Sequence, residues 1–197
     1  MMSTICKRMV ALLVATATFP LHASAWTVDS SSSSLSFVTV KAGDVGEVHT
    51  FGSVSGSVSA QGNADVTIDL ASVDTLIPIR DERMREFLFD VASFPTATVN
   101  AAIDLGALQN AAVGEVRRLA MKGELALAGA KVGLDFDVSV ARLTADRGLV
   151  ATRKPVIVNA ATVDLVEGVE RLREIAKLPS ISKAVPVSFV LGFEAQD

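Results

Sequence analysis

Beyond position 53, apolar and polar residues alternate in successive short runs, the period of strands that bury one face and solvate the other. Val54, Gly56, Val58 and Ala60 alternate with four serines, and Val66, Ile68 and Leu70 flank Thr67 and Asp69. The pattern returns at Ala97, Val99, Ala101, Ile103 and Leu105, then at Leu119, Met121, Gly123, Leu125 and Leu127. It recurs at Val132, Leu134, Phe136, Val138 and Val140, and last at Val185, Val187, Phe189, Leu191 and Phe193. With segments near 34–41 and 149–162, these runs predict about eight strands, mostly joined by short turns. Gln61-Gly62-Asn63 and Asp146-Arg147-Gly148 supply residues that tolerate positive φ, and Gly129-Ala130 makes a tight connection. Ser30 to Ser34 reads as a loop or bend entering the first strand. Such meandering connections predict an all-β fold, an antiparallel sheet that curls and closes.

Two stretches break the period. Ile79–Phe89 sets Arg80, Met84, Phe87 and Leu88 at helical spacing, and Val169–Leu178 puts Leu172, Ile175 and Ala176 on one stripe before Pro179. Each predicts a short helix that plugs or covers an end of the sheet. The charged residues of 80–86 are expected to pair at i,i+3 and i,i+4 on a solvated face, with Arg80-Asp81 available to pin the helix to a strand end.

The N-terminus has a different organisation. Lys7 and Arg8 precede an apolar run from Met9 to Leu21, followed by Ala23-Ser24-Ala25, the order of a cleavable secretory signal. The run is shorter than the roughly 20 residues of a membrane-spanning helix. The chain thus divides into a 1–25 leader and one 26–197 domain that works outside the cytoplasm. Cys6 and His22 leave with the leader, so no disulfide is available and His49 is the one remaining histidine. The formal charge of −4 grows more negative by the loss of Lys7 and Arg8. An acidic domain without a basic block is a poor partner for nucleic acid or anionic lipid heads. No second long apolar run is present, so stable membrane insertion is not expected. A membrane β-barrel would need aromatic girdles, yet the chain has one Trp and no Tyr. Position 26 is Trp, where a lipid-anchored protein would carry cysteine.

Little catalytic chemistry is on offer. No Gly-x-Ser-x-Gly elbow surrounds a serine, and no phosphate loop, dinucleotide fingerprint or haem motif occurs. Glu47 and His49 share a face if their segment is extended, which would suit an acid–base pair, half a metal site or a simple rim hydrogen bond. A metal site needs three or more ligands, and neither a second histidine nor a cysteine remains to supply them. No cofactor is expected. The inner face carries more information, because Gly52, Gly56, Ala60, Ala97, Ala101, Gly123 and Gly129 fall on apolar-phase positions. Either these small residues leave an apolar cavity or they relieve crowding where strands bend.

Several motifs resemble one family. Trp26-x-x-Asp29, Ser33, Phe37 and Phe51-x-x-Val54-x-Gly56 are similar to the start of the YceI-like periplasmic lipid- or polyisoprenoid-binding proteins. Ser72-Val73-x-Thr75, Ile79-Arg80-Asp81-Glu82-Arg83-Met84-Arg85 and Leu88-Phe89-Asp90 resemble its central motif. Phe94-Pro95, Gly123-x-Leu125-x-Leu127-x-Gly129 and the stretch from Ile181 to Phe193 fit its later strands. The chain departs at Ser32, where many members carry histidine, and at Ala130-Lys131-Val132, changes that bear on ligand preference more than on fold.

The resemblance implies an extended, lipocalin-like antiparallel barrel enclosing a long apolar chain, an isoprenoid or a fatty-acid-type lipid, with no catalytic residues. It implies a periplasmic carrier or stress-associated protein, compatible with a homodimer. Phe37, Phe51, Phe87, Phe89, Phe94 and Phe136 are the expected wall or mouth residues, with Met84 as an adaptable contact. Two alternatives stand beside it: an enzyme acting on a lipid-like substrate through Glu47 and His49, and a structural protein whose interior is filled.

Overall fold

A computed structural model describes residues 24–106 and 110–196. The predicted leader therefore lies outside the described residues apart from the backbone of Ser24 and Ala25. Eleven strands form one antiparallel sheet: β1 (Ser24–Lys41), β2 (Val45–Phe51), β3 (Val54–Ser59), β4 (Asn63–Asp69), β5 (Val73–Asp74), β6 (Thr96–Ala102), β7 (Val116–Leu127), β8 (Ala130–Arg142), β9 (Arg147–Thr152), β10 (Val156–Asn159) and β11 (Ala184–Ala195). Pairing of β11 with β1 closes eight of them into a barrel: β1, β3, β4, β6, β7, β8, β9 and β11. The other three extend this ring. Strand β2 continues the partner side of β1 beyond β3, and β10 does the same for β11 beyond β9.

The predicted single strand at 149–162 is in fact β9 and β10, divided at Arg153-Lys154-Pro155, where proline cannot donate to the ladder. The serine run is also not a separate loop. It stays within β1 as a bulge, because Asp29↔Gly192 and Ser34↔Val190 leave extra residues on the β1 side. Asp29 organises that bulge by accepting from the Ser31 N–H and from the Ser31 and Ser32 hydroxyls. Those bonds hold its carboxyl down at about 2.

The two helical stretches cap one side of the interior. Helix α1 (Pro78–Arg83) runs into a π-helical turn, Met84–Leu88, and α2 (Val166–Ile175) packs beside that turn. Pro at the first position suits α1, where an N–H would lack a partner in any case. The expected ion pairs within 80–86 do not form among the described residues. Asp81 is instead buried, accepting from the Thr75 N–H at 2.8 Å and from the Thr75 hydroxyl. Arg80 donates to the Thr75 carbonyl at 2.7 Å. The sequence reading of this pair as a pin between helix and strand end therefore describes it better than a solvated face does.

The small residues on the inner face divide between the two roles the sequence left open. A Cβ at Gly56 would lie 2.4 Å from the Asp65 carbonyl oxygen, and one at Gly123 would lie 2.7 Å from that of Asn100. Both glycines thus let neighbouring strands approach closely. Ala97 and Ala101, in contrast, face open space.

Candidate ligand cavity

That space is a cavity of about 370 Å³ inside the barrel. Its size falls in the lower part of the range for small-molecule sites, roughly 300–1,000 Å³. Alternation on β1 turns Leu35, Phe37, Thr39 and Lys41 inward, while β2 turns in Phe51, His49 and Glu47. The register sets Leu35 opposite Phe51, Phe37 opposite His49 and Thr39 opposite Glu47. The inner wall therefore changes from carbon to polar atoms along these two strands, from Leu35 to Lys41, a span of about 20 Å. Trp26, buried at the other end of β1, lies outside the lining.

Aromatic rings form the apolar part. Phe89, Phe51, Phe37 and His49 make a row with centroid separations of 5.8, 5.3 and 5.2 Å, and Phe136 meets Phe189 edge-on at 6.2 Å. Such spacings suit tilted and edge-to-face contacts. Met84, Leu88 and Phe89 close the cavity from the α1 side, with Val169, Leu172 and Ala176 from the α2 side.

Of the seven residues singled out from sequence, Phe37, Phe51, Met84, Phe89 and Phe136 line the cavity. Phe87 and Phe94 do not. Phe87 is half-buried outside the lining, where the Arg171 guanidinium lies over its ring at 5.6 Å. Phe94 is exposed and rests against the Gly129 turn. Helical spacing brought Phe87 close to Met84 in sequence terms, but the π-helical turn rotates the two onto different faces. The aromatic selection also left out Phe189 and Phe193, which line the cavity from β11. Their signal was present, since both sit in the apolar phase of the final alternating run.

The polar end is a connected group. Glu47 Oε2 accepts from Lys41 Nζ at 2.8 Å and from Arg80 at 2.7 Å, bridging the β1–β2 hairpin to α1. The Lys41 hydrogen bond, aided by the Arg80 charge, holds the Glu47 carboxyl below its ordinary value. His49 is 3% exposed, and its Nε2 lies 2.9 Å from the Thr39 hydroxyl. Burial, with the positive charge of Arg80 nearby, pulls the imidazole below its usual 6.5. Glu47 and His49 thus share a face but are engaged by different partners. A carboxylate held by two cations is a weak base, and Glu47 does not orient the His49 imidazole, which contacts the Thr39 hydroxyl instead. Among the described residues, no group of three or more His, Cys, Asp or Glu could hold a metal ion, and no helix is long and apolar enough to cross a membrane.

A family model described as the YceI-like domain matches residues 26–193. A polyisoprenoid-binding domain from Saccharophagus degradans, implicated in plant cell wall breakdown, is 40% identical, with 88% of this chain and 100% of that chain covered and a TM-score of 0.86. BcnA from Burkholderia cenocepacia shares the fold at 23% identity, with 84% and 98% covered and a TM-score of 0.64. A YCEI protein from Campylobacter jejuni does so at 16% identity, 76% and 85% coverage and a TM-score of 0.51. No curated protein matches the chain.

Proposed function

The chain belongs to the YceI-like domain family, and from that premise we propose that it is a non-enzymatic binding or carrier protein for an amphiphilic lipid of polyisoprenoid type. The lipid's apolar chain lies in the barrel, and the protein acts in the periplasm after export. The observation that carries this reading is the cavity, a closed barrel lined almost wholly by carbon and ending in a polar cluster. Interiors pack to a density of about 0.75 when side chains allow it. A space of this size held open by alanines and ringed by phenylalanines is therefore matched to an apolar guest. Each methylene transferred from water into it contributes about 0.8 kcal/mol, so a long chain binds without a charged contact. The polyisoprenoid-binding description of the Saccharophagus degradans domain supports the same ligand class, and the secretory-type N-terminus supports the location.

Native mass spectrometry of the protein purified from its own host, followed by lipid extraction, tests the reading. A co-purifying prenyl lipid and a rise in unfolding temperature on adding polyprenol are expected. A barrel that emerges empty and shows no lipid-induced shift overturns it.

A further inference from the structure

The polar end of the cavity reverses the charge of the chain as a whole. The chain has a formal charge of −4, yet Lys41, Arg80 and Arg83 line this end against Glu47 alone. Lys41 and Arg80 both rest on one oxygen, Glu47 Oε2. Arg83 has no carboxylate within ion-pair distance among the described residues. The nearest further acid, Asp81, is turned to Thr75 and does not line the cavity. Positive charge is therefore in excess here by two among the lining groups, or by one when Asp81 is included. The remaining polar liners are uncharged and already engaged: Thr39 with His49, and Ser182 with the Ala184 carbonyl.

A chain lying along Leu35 and Phe37 ends beside Lys41 and Arg80. We propose that this end is a head-group site for an oxyanion, a carboxylate or a phosphate ester, carried on the lipid's apolar chain. The inference rests on the reading of the cavity as a lipid container. A guanidinium presents a rigid fork of donors matched to both oxyanions, and partial burial makes an unbalanced cation favour a counter-charge.

Glu47 has a definite part in this site. It competes with the ligand's head for Lys41 and Arg80, so removing its charge strengthens anion binding. A purely structural Glu47 would have the opposite effect or none.

The test is displacement of N-phenyl-1-naphthylamine, an uncharged fluorescent reporter, by two matched pairs: palmitate against hexadecanol, and geranylgeranyl monophosphate against geranylgeraniol. Each anion is expected to displace at concentrations about tenfold lower than its alcohol, the worth of one charge-assisted hydrogen bond. That advantage should shrink at high salt. The larger of the two advantages identifies the carboxylate or the phosphate ester as the preferred source. In Glu47→Gln the anion-to-alcohol affinity ratio rises, and in Lys41→Gln and Arg83→Gln it falls. Lys41→Gln leaves the Glu47–Arg80 pair in place, so it reads the charge even if Glu47→Gln loosens α1. Alcohols that bind as tightly as their anions, or a ratio that falls in Glu47→Gln, overturn the head-group site and leave the container reading standing. If none of the four compounds displaces the reporter, the container reading fails, and this inference with it.

Discussion

Replacing Asp81 by alanine tests how the helical cap is fixed to the barrel. The carboxylate is buried and accepts two hydrogen bonds from Thr75, a residue that is itself 2% exposed. Net contributions of hydrogen bonds to charged groups run at about 1.5–3 kcal/mol each, but these two share one oxygen and do not simply add. Asp81→Ala also leaves a buried Thr75 N–H without an acceptor. The expected loss is therefore about 2–4 kcal/mol, one charge-assisted hydrogen bond together with the cost of the stranded donor. Asp81→Asn preserves shape and one acceptor oxygen while halving the strength of the bonds, and should cost about 1–2 kcal/mol. Thr75→Val removes the hydroxyl but keeps the N–H bond, for a similar cost.

Urea unfolding of the wild type, the three single variants and the Asp81→Asn/Thr75→Val pair gives these numbers and their coupling. The coupling should exceed about 0.5 kcal/mol, because the two side chains touch. A cost for Asp81→Ala below about 1 kcal/mol, or additive single variants, would falsify the pin. The Arg80 contact with the Thr75 carbonyl adds a functional consequence. Loosening Thr75 frees Arg80 and the α1 side of the cavity together, so lipid release from Asp81→Asn should be faster than from the wild type.

Four further outcomes follow from the same geometry. His49 is neutral by burial, so between its depressed folded value and 6.5 the unfolded chain takes up a proton that the native chain refuses. Stability should therefore fall as pH drops below 6.5 and level off below the folded value; urea midpoints across that window should lose this slope in His49→Phe. Asp29 titrates in the opposite part of the scale, where its stabilisation is present above the unfolded value near 3.8 and is lost as pH falls toward about 2. Acid unfolding of Asp29→Asn should lack that contribution. Phe37→Ala removes a ring that already borders open space, so it should cost about 3 kcal/mol, the lower end for phenylalanine truncation, and weaken uptake of the fluorescent reporter; a cost near 5 kcal/mol would indicate a filled interior. Gly56→Ala places a methyl against the Asp65 carbonyl and should lower stability by about 1–3 kcal/mol in thermal or urea unfolding.

The legibility of the sequence follows the range of the interactions. Period-two alternation specifies a face, and faces are local, so most strands could be read from neighbouring residues alone. Strand β2 is short, exposed at Val45 and Val48, and carries Glu47 and His49 inward, so its pattern is the inverse of the expected one. Its extended state is set by pairing with β1, a tertiary cause that no local window contains. The serine bulge is not legible in the sequence for a related reason. Asp29 folds those serines onto itself as an unpaired bulge while the ladder resumes at Ser34, and the outcome depends on how many residues β11 presents opposite.

The site divides in the same manner. Phe37, Phe51, Phe89 and Phe136 could be found because an inward aromatic is visible in its own strand. The polar end could not, since Lys41, Glu47 and Arg80 come from two strands and a helix, and their shared oxygen exists only after the helix is set down. What sets it down is Asp81, which follows Arg80 in the chain and buries its charge in the loop before α1. The Arg80-Asp81 pair thus has two connected tasks. Asp81 fixes the helix, and the fixed helix delivers Arg80 to the rim of the cavity. A swap of the two residues would keep composition, helix propensity and net charge, yet leave a guanidinium buried against Thr75 and a carboxylate facing Glu47. Both placements are unfavourable, which ties the order of this pair to the barrel that it closes.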